Sequence, residues 1–402
     1  MRDGSQDSQT VIGARMKPLT VAVKALATDV GFDLVGVTTA EPFVERSETA
    51  IDRVHDGFMD GLPWYTKERV EHGSDPANLL PGARSLISLA LNYWGPDPPR
   101  DEGPPRNQIR GRIARYARGE DYHEVFARMV ADFADRLPHV VGRPVATRWY
   151  TDTGPMQDRA IADRAGVGWF GKNSNILTSI GSWVVLAQVI TDLDLEPDAP
   201  LKKTCGDCAL CMDACPTSAI IGPGVIDNRR CISYLTIENR DGIPVELREA
   251  IGDRVFGCDV CQDVCPVNRK AELGSAYSAF SRDMGERAGP DLMSILEMDE
   301  EMFRQRFRGS PVKRAKLWGL KRNVCVALGN IGDTRAVPVL TQTLKGHLHH
   351  LVRGHAAWAL GRIGGADVVS ILEAALVVEK DQSVSSEIRS ALAIQAFPTL
   401  EE

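Results

Sequence analysis

Hydrophobic positions change their period along the chain, and the changes divide it. From Met16 to Phe43 a helical spacing that includes Lys24, Ala25 and Leu26 gives way to the apolar run Phe32 to Val37, so a helix followed by a strand is expected. Ser85 to Leu91 reads as a second buried strand. Trp94 to Arg106 is rich in proline and charge and reads as a loop. Between Asp121 and Leu137, the residues Tyr122, Val125, Phe126, Met129 and Phe133 recur on one helical face. Pro155 to Ala165 is expected to be another helix. Trp183 to Ile190 is almost wholly apolar, the pattern of a strand buried on both faces. Strands mixed with helices before residue 200 predict an α/β or α+β domain over residues 16–199.

After about residue 269 the pattern becomes all-helical, and it repeats. Leu328-Gly329-Asn330-Ile331-Gly332 matches Leu360-Gly361-Arg362-Ile363-Gly364 at a period of 32, and Val337 and Leu340 match Val369 and Leu372 at the same offset. This is a helical repeat of the HEAT kind, in which each unit buries its apolar face on the next. Such arrays usually form binding surfaces.

Composition adds two restrictions. At 402 residues, 43% hydrophobic and 25% charged, the chain is an ordinary multidomain globular protein. It has no apolar run long enough to cross a bilayer. Residues 1–15 are polar, without an apolar leader core or twin arginines, and a disordered cytoplasmic start is expected. The net charge of −7 argues against a bulk nucleic-acid binder. Yet Arg304, Arg306, Arg308, Lys313, Arg314, Lys316, Lys321 and Arg322 form a basic stretch with no acid between them. It is either a solvated face or a polyanion-binding surface.

The cysteines carry the chemistry. Eight of the nine fall between Cys205 and Cys265. An odd count without a leader disfavours disulfides and points to metal. Cys205-x2-Cys208-x2-Cys211-x3-Cys215-Pro216 is the bacterial ferredoxin run. Three closely spaced thiolates wrap one 4Fe–4S cubane, and the cysteine before proline reaches a second. Cys258-x2-Cys261-x3-Cys265-Pro266 ends the same way but is one cysteine short. Two cubanes need eight thiolates. Crossover assigns Cys205, Cys208, Cys211 and Cys265 to cluster 1, and Cys215, Cys258 and Cys261 to cluster 2, with Cys231 as its fourth ligand. Structural zinc is the rival for paired Cys-x2-Cys runs, disfavoured by the two Cys-Pro endings. Cys231 could also be a core cysteine, but the ligand count outweighs that. Cys325 stands apart on an apolar helix face and is read as core. A two-cluster insert is thus expected over 200–268, followed by a helical region over 269–402.

Other signals are weaker. Gly166-x-Gly168-x-x-Gly171 fits a dinucleotide fingerprint as a string but follows a helix, so it is read as a helix end and turn. Asp152 precedes Gly154-Pro155 and is first read as a helix N-cap. Asp121-Tyr122-His123 reads as an ordinary helix start.

Taken together, these pieces resemble the epoxyqueuosine reductases, cobalamin-dependent iron–sulfur enzymes of tRNA modification. The resemblance is carried by Arg115-Tyr116 with Asp121-Tyr122-His123, and by Asp152-Thr153-Gly154, Arg159-Ala160, Arg164 to Trp169 and Gly171-Lys172-Asn173. Both cysteine runs, Cys231 to Glu238 and the C-terminal repeats add to it. It implies a nitroreductase-like α/β N-terminal domain that holds cobalamin, with the two 4Fe–4S clusters feeding it electrons singly. The substrate would be tRNA with a GUN anticodon carrying epoxyqueuosine. The protein would be a cytoplasmic monomer served by an unidentified donor of flavodoxin or ferredoxin type. Asp152 would be the proton donor. Arg69, Ala114, Lys172, Asn173 and Ile176 would lie at the corrin, and the basic stretch and repeats would hold the tRNA. No Asp-x-His-x-x-Gly motif is present to supply a histidine below cobalt. A neutral acid at Asp152 requires a desolvated pocket, whereas a helix N-terminus would favour its carboxylate. Two alternatives stand beside this one: a reductive dehalogenase-like cobalamin enzyme, and a non-enzymatic electron carrier.

Overall fold

The computed structural model describes residues 6–95, 108–274, 277–280 and 288–396. The first helix runs Gln6–Val30. The start expected to be disordered over 1–15 is therefore helical from Gln6 onward, since residues 6–15 contain no proline and a single glycine. Residues 1–5 lie outside the described residues, as does the expected loop from residue 96 on.

Four strands, β1 (Leu34–Thr39), β2 (Ser85–Asn92), β3 (Thr147–Tyr150) and β4 (Val184–Thr191), form a sheet in the order β1-β2-β4-β3. Every pairing is antiparallel, with Val37 opposite Ile87 and Ile87 opposite Val189. The domain is therefore α+β rather than α/β. Side chains alternate across the sheet, so its two faces bury different partners. Ile87, Leu89, Leu91, Ala187 and Val189 pack on the helices Gln6–Val30 and Tyr122–Val141 through Val23, Leu26, Phe126, Val130 and Phe133. Leu86 and Ile190 pack on Phe43, Leu79, Ala160 and Ile161 of the opposite layer. With helices on both sides, every residue of β2 is buried, the polar Ser85, Ser88 and Asn92 included. β4 is buried only toward its end; Val184, Val185 and Leu186 remain partly open.

The C-terminal helices explain the repeated glycines. A Cβ on Gly329 would come 2.6 Å from Trp358, and one on Gly361 would come 2.6 Å from Ala391, so each glycine lets the next helix approach. Gly332 and Gly364 end the helices Lys316–Ile331 and His350–Ile363 at φ 73° and 69°, a conformation that favours glycine. Leu328 and Leu360 are fully buried between neighbours. Cys325 is buried in the same core. That core also takes in Ile109, Ile113, Ile232, Leu235, Ile251 and Phe256. The latter half of the cysteine segment thus packs on the repeats and does not stand as a separate body.

Candidate active site and cluster ligands

Two turns of matching build carry the cysteine runs. Leu210–Asp213 forms one helical turn between Ala209 (φ −120°, ψ 5°) and Ala214 (φ −83°, ψ −8°). Val260–Asp263 repeats it between Asp259 (φ −105°, ψ 0°) and Val264 (φ −83°, ψ −9°). All eight thiols are free and half-buried. Burial raises the pKa of Cys211, Cys231, Cys258 and Cys265, that of Cys258 to about 11, and pushes Cys261 higher still. Neighbouring thiols add to this. Cys211 feels Cys205, Cys265 and Cys208, and Cys265 feels Cys205 and Cys208. Cys231 feels Cys215, Cys258 feels Cys231, and Cys261 feels Cys258, Cys231 and, after Asp259, Cys211. Apart from the influence of Cys211 on Cys261, these thiols act on one another within two groups of four. Such thiols must lose their protons to bind, so iron has to compete with acid.

A cavity of about 770 Å³ lies beside the first run, with Cys205 and Gly206 in its wall. Val184, Val185 and Leu186 of β4 form an apolar part of it, which is why that end of the strand stays open. Trp64, Tyr65, Tyr116 and Tyr122 add aromatic surface, and Arg46, Arg53, Arg69, Arg159 and Lys172 add positive charge.

Asp152 lines this cavity from the loop that follows β3. The N-cap reading does not hold. The next helix starts at Asp158, with Gln157 before it, because Gly154-Pro155 continues the loop. Asp152 instead sits at φ 55°, a strained position for a non-glycine residue that aspartate tolerates better than most. Its side chain is 68% exposed, so the desolvated pocket expected around it is absent in this conformation, and two groups that it meets, Tyr122 and His123, stand in the first turn of the helix Tyr122–Val141. The Tyr122 hydroxyl donates to its Oδ2 at 2.6 Å, and His123 Nε2 lies 3.8 Å away. The His123 ring is held through Nδ1 by Asp121 at 2.8 Å and stacks on Tyr122. Asp121 also caps the helix Tyr122–Val141, so the expected helix start is correct, and its first residues meet Asp152 as well.

The other expected site residues divide. Lys172 lines the cavity. Arg69 lines it too, but its guanidinium donates to the Thr153 and Gly154 carbonyls at 3.1 and 2.6 Å, so it clamps the Asp152 loop. Asn173 is buried and donates to the Cys261 carbonyl at 3.2 Å. Ile176 is core beneath Ala162 and Val167. Ala114 is buried, with its N–H on the Phe256 carbonyl at 2.8 Å. Ala114, Asn173 and Ile176 do not line the cavity.

Three further residues belong to this cavity and its rim, and sequence reasoning gave none of them a place beside Asp152. Tyr122 was counted as an apolar-face residue. Asp158 lies in the first turn of a helix, where an acid is commonplace. Arg314, in the basic stretch, stacks on Trp64 and lies close enough to Asp152 and Tyr122 for their charges to raise its pKa, after the larger effect of its bond to Glu238. The Asp-Tyr-His string hinted at Tyr122 and the basic stretch at Arg314, while nothing in the sequence marked Asp158.

An α+β sheet domain joined to paired cysteine turns, with a carboxyl and a cluster cysteine facing one cavity, defines an iron–sulfur oxidoreductase. Residues 204–268 match a 4Fe-4S double cluster binding domain, 74–153 match the epoxyqueuosine reductase QueG family, and 313–393 match HEAT repeats. The chain belongs to the epoxyqueuosine reductase family. It is 35% identical to the Bacillus subtilis epoxyqueuosine reductase over 91% of this chain and 93% of that one. With the Pseudomonas aeruginosa epoxyqueuosine reductase it shares 38% identity over 86% of this chain and 95% of the other. A crystal structure of epoxyqueuosine reductase with an epoxyqueuosine-modified tRNA-Tyr stem loop matches at a TM-score of 0.86 and 33% identity, covering 95% of this chain and 100% of that one. A B. subtilis structure whose catalytic loop is swung out of the active site matches at 0.85 and 33% identity, over 94% and 99% of the two chains.

Proposed function

We propose that the chain reduces epoxyqueuosine to queuosine at the wobble position of tRNAs with GUN anticodons. Two 4Fe–4S clusters supply single electrons, on Cys205, Cys208, Cys211 and Cys265 and on Cys215, Cys231, Cys258 and Cys261. The observation that carries the proposal is that Asp152 and Cys205 open onto the same cavity, so a proton source and an electron source face one space. An electron carrier needs neither the cavity nor the acid.

Cobalamin fits that cavity. The apolar strand end Val184 to Leu186 suits a corrin face, and Arg46, Arg53, Arg69 and Lys172 suit its amide and phosphate periphery. Bound there, cobalamin supplies the low-potential electron chemistry that no side chain offers. The sheet domain is accordingly read as nitroreductase-like. Asp152 delivers a proton to the epoxide oxygen, which is otherwise a poor leaving group. Tyr122 and the Arg69 clamp aim it, and a substrate entering over the loop dries the carboxyl that is exposed without one. The tRNA lies across the exposed cations Arg308, Lys313, Arg314 and Lys316, with Trp64 at the rim for an unstacked base. The protein works as a cytoplasmic monomer with a flavodoxin- or ferredoxin-type donor; among the described residues no helix is long and apolar enough to cross a membrane.

The test is anaerobic incubation of the cluster-loaded, cobalamin-loaded chain with epoxyqueuosine-containing tRNA and a reductant, read by mass spectrometry of the nucleosides. Queuosine forms with the native chain. Asp152→Ala and Asp152→Asn keep both clusters but lose roughly 10²-fold or more of the rate. Native turnover in either variant contradicts the acid role.

A further inference from the structure

Removing an epoxide oxygen to leave an alkene has a fixed balance. Both C–O bonds break, one C=C bond forms, and the oxygen departs as water. Two electrons and two protons must enter. The clusters provide the electrons one at a time, and Asp152 provides one proton. A second proton needs a source.

We propose that Asp158 is the second acid, releasing the proton that completes the water after Asp152 has given the first; this rests on the proposed reduction of epoxyqueuosine. Asp158 lines the same cavity as Asp152, six residues further along the chain. It is half-buried, and its Oδ1 is shut off from solvent with no hydrogen-bond partner. Its turn is fixed from below, where Gln188 of β4 donates to the Asp158 carbonyl at 3.3 Å. A buried carboxylate with an unpartnered oxygen is costly, whereas a carboxylic acid in the same place is cheap.

The charged groups acting on Asp158 are Asp152, which opposes its ionisation, and Arg159, which favours it. The Arg159 guanidinium is turned to the Ser174 carbonyl at 2.7 Å. Burial is the largest influence, Asp152 adds to it, and together they lift the Asp158 pKa to about 8. The group therefore carries its proton at neutral pH, ready to give it. The arrangement also couples the two acids. When Asp152 has lost its proton, its charge holds the Asp158 proton in place until the departing oxygen becomes the stronger base.

Infrared titration of the anaerobic holoprotein, native and Asp158→Asn, tests this together with single-turnover rates across pH. The native protein shows a protonated-carboxyl band at pH about 7 that is lost through pH about 8, and D158N lacks it. Native turnover falls above that pH. D158N runs about 100-fold slower without that alkaline limb, with clusters and tRNA affinity unchanged, and Asp158→Glu restores much of the rate. A native protein without the band, or D158N with native rate and pH profile, overturns the proposal. Should D158N fail to hold its clusters, D158E decides: its alkaline limb moves if Asp158 is the acid and stays put if it is not. The band is read without substrate. A native chain that shows it but leaves epoxyqueuosine untouched sinks the functional proposal, whereas an active chain without it sinks the second acid alone.

Discussion

Asp152 is held by its neighbours more than by its own backbone. Its φ of 55° is a strained position, and the Tyr122 hydroxyl gives the side chain a hydrogen-bond partner there. Tyr122→Phe removes that bond while keeping the ring stack with His123. A hydrogen bond to a charged group contributes about 1.5–3 kcal/mol, so single-turnover rates should fall roughly 10- to 100-fold with cluster content unchanged. A variant with native rates would show that the tyrosine does not aim the acid. Asp158 also sets a stability profile. Its folded pKa, about 8, lies above that of an unfolded aspartate, about 3.9. Between those values the unfolded chain has lost a proton that the folded chain keeps, so stability falls as pH rises through the window. Asp158→Asn escapes this. Its melting temperature relative to the native chain should climb from pH about 5 to pH about 8, and a difference independent of pH contradicts the raised pKa. At this scale the sequence was legible for thiols, whose spacing is their chemistry. It was poorly legible for Asp158, because burial and an unpartnered oxygen arise only when β4 packs beneath it.

Elements with strong periodicity were read correctly. The helix Tyr122–Val141 and strands β2 and β4 fall within a few residues of their expected places, since apolar faces in the sheet domain admit few alternatives. β3 was missed; its four residues sit at the sheet edge and are only partly buried, so no apolar pattern marks them. The loop after β3 was misread as a helix start for a related reason. Its shape is set by a distant helix, Lys67–Ser74, through Arg69 and through Gly73, where a Cβ would collide with the Pro155 carbonyl. Gly73→Ala shows what that contact does. In an open helix the change would stabilise by about 0.5–1 kcal/mol. Here it should lower the melting temperature and, by displacing the Asp152 loop, slow turnover up to about 100-fold. A more stable, fully active variant would mean that the two segments move independently.

Across the whole molecule, the repeats do more than present a surface. Arg248, almost wholly buried on the helix Val245–Ile251 between Cys231 and Cys258, bonds Glu387 of the last helix at 3.0 Å. Arg322 is buried and donates to the Leu235, Asn239 and Asp241 carbonyls. These cations fasten the Cys231 region to the repeats. Arg248→Ala leaves Glu387 without its partner and should cost about 3 kcal/mol in urea unfolding of the holoprotein; an unchanged midpoint contradicts the fastening. The basic stretch accordingly splits. Lys321 and Arg322 are buried, because helical spacing turns them inward, and only Arg304, Arg308, Lys313, Arg314 and Lys316 are exposed, with Arg306 between the two. Charge counting could not see that division. Lys313→Ala and Lys316→Ala should each flatten the dependence of log affinity for tRNA on log salt by about 0.7–0.9, and Lys321→Met should not. Equal effects from all three would mean that the tRNA lies elsewhere.

The most direct measurement is the iron and acid-labile sulfide content of the anaerobically purified chain, with electron paramagnetic resonance of the reduced protein. Two interacting 4Fe–4S clusters per chain are predicted. Zinc in place of iron, or a lone cubane, contradicts the assignment of eight shared thiolates and with it the route of electrons to the cavity.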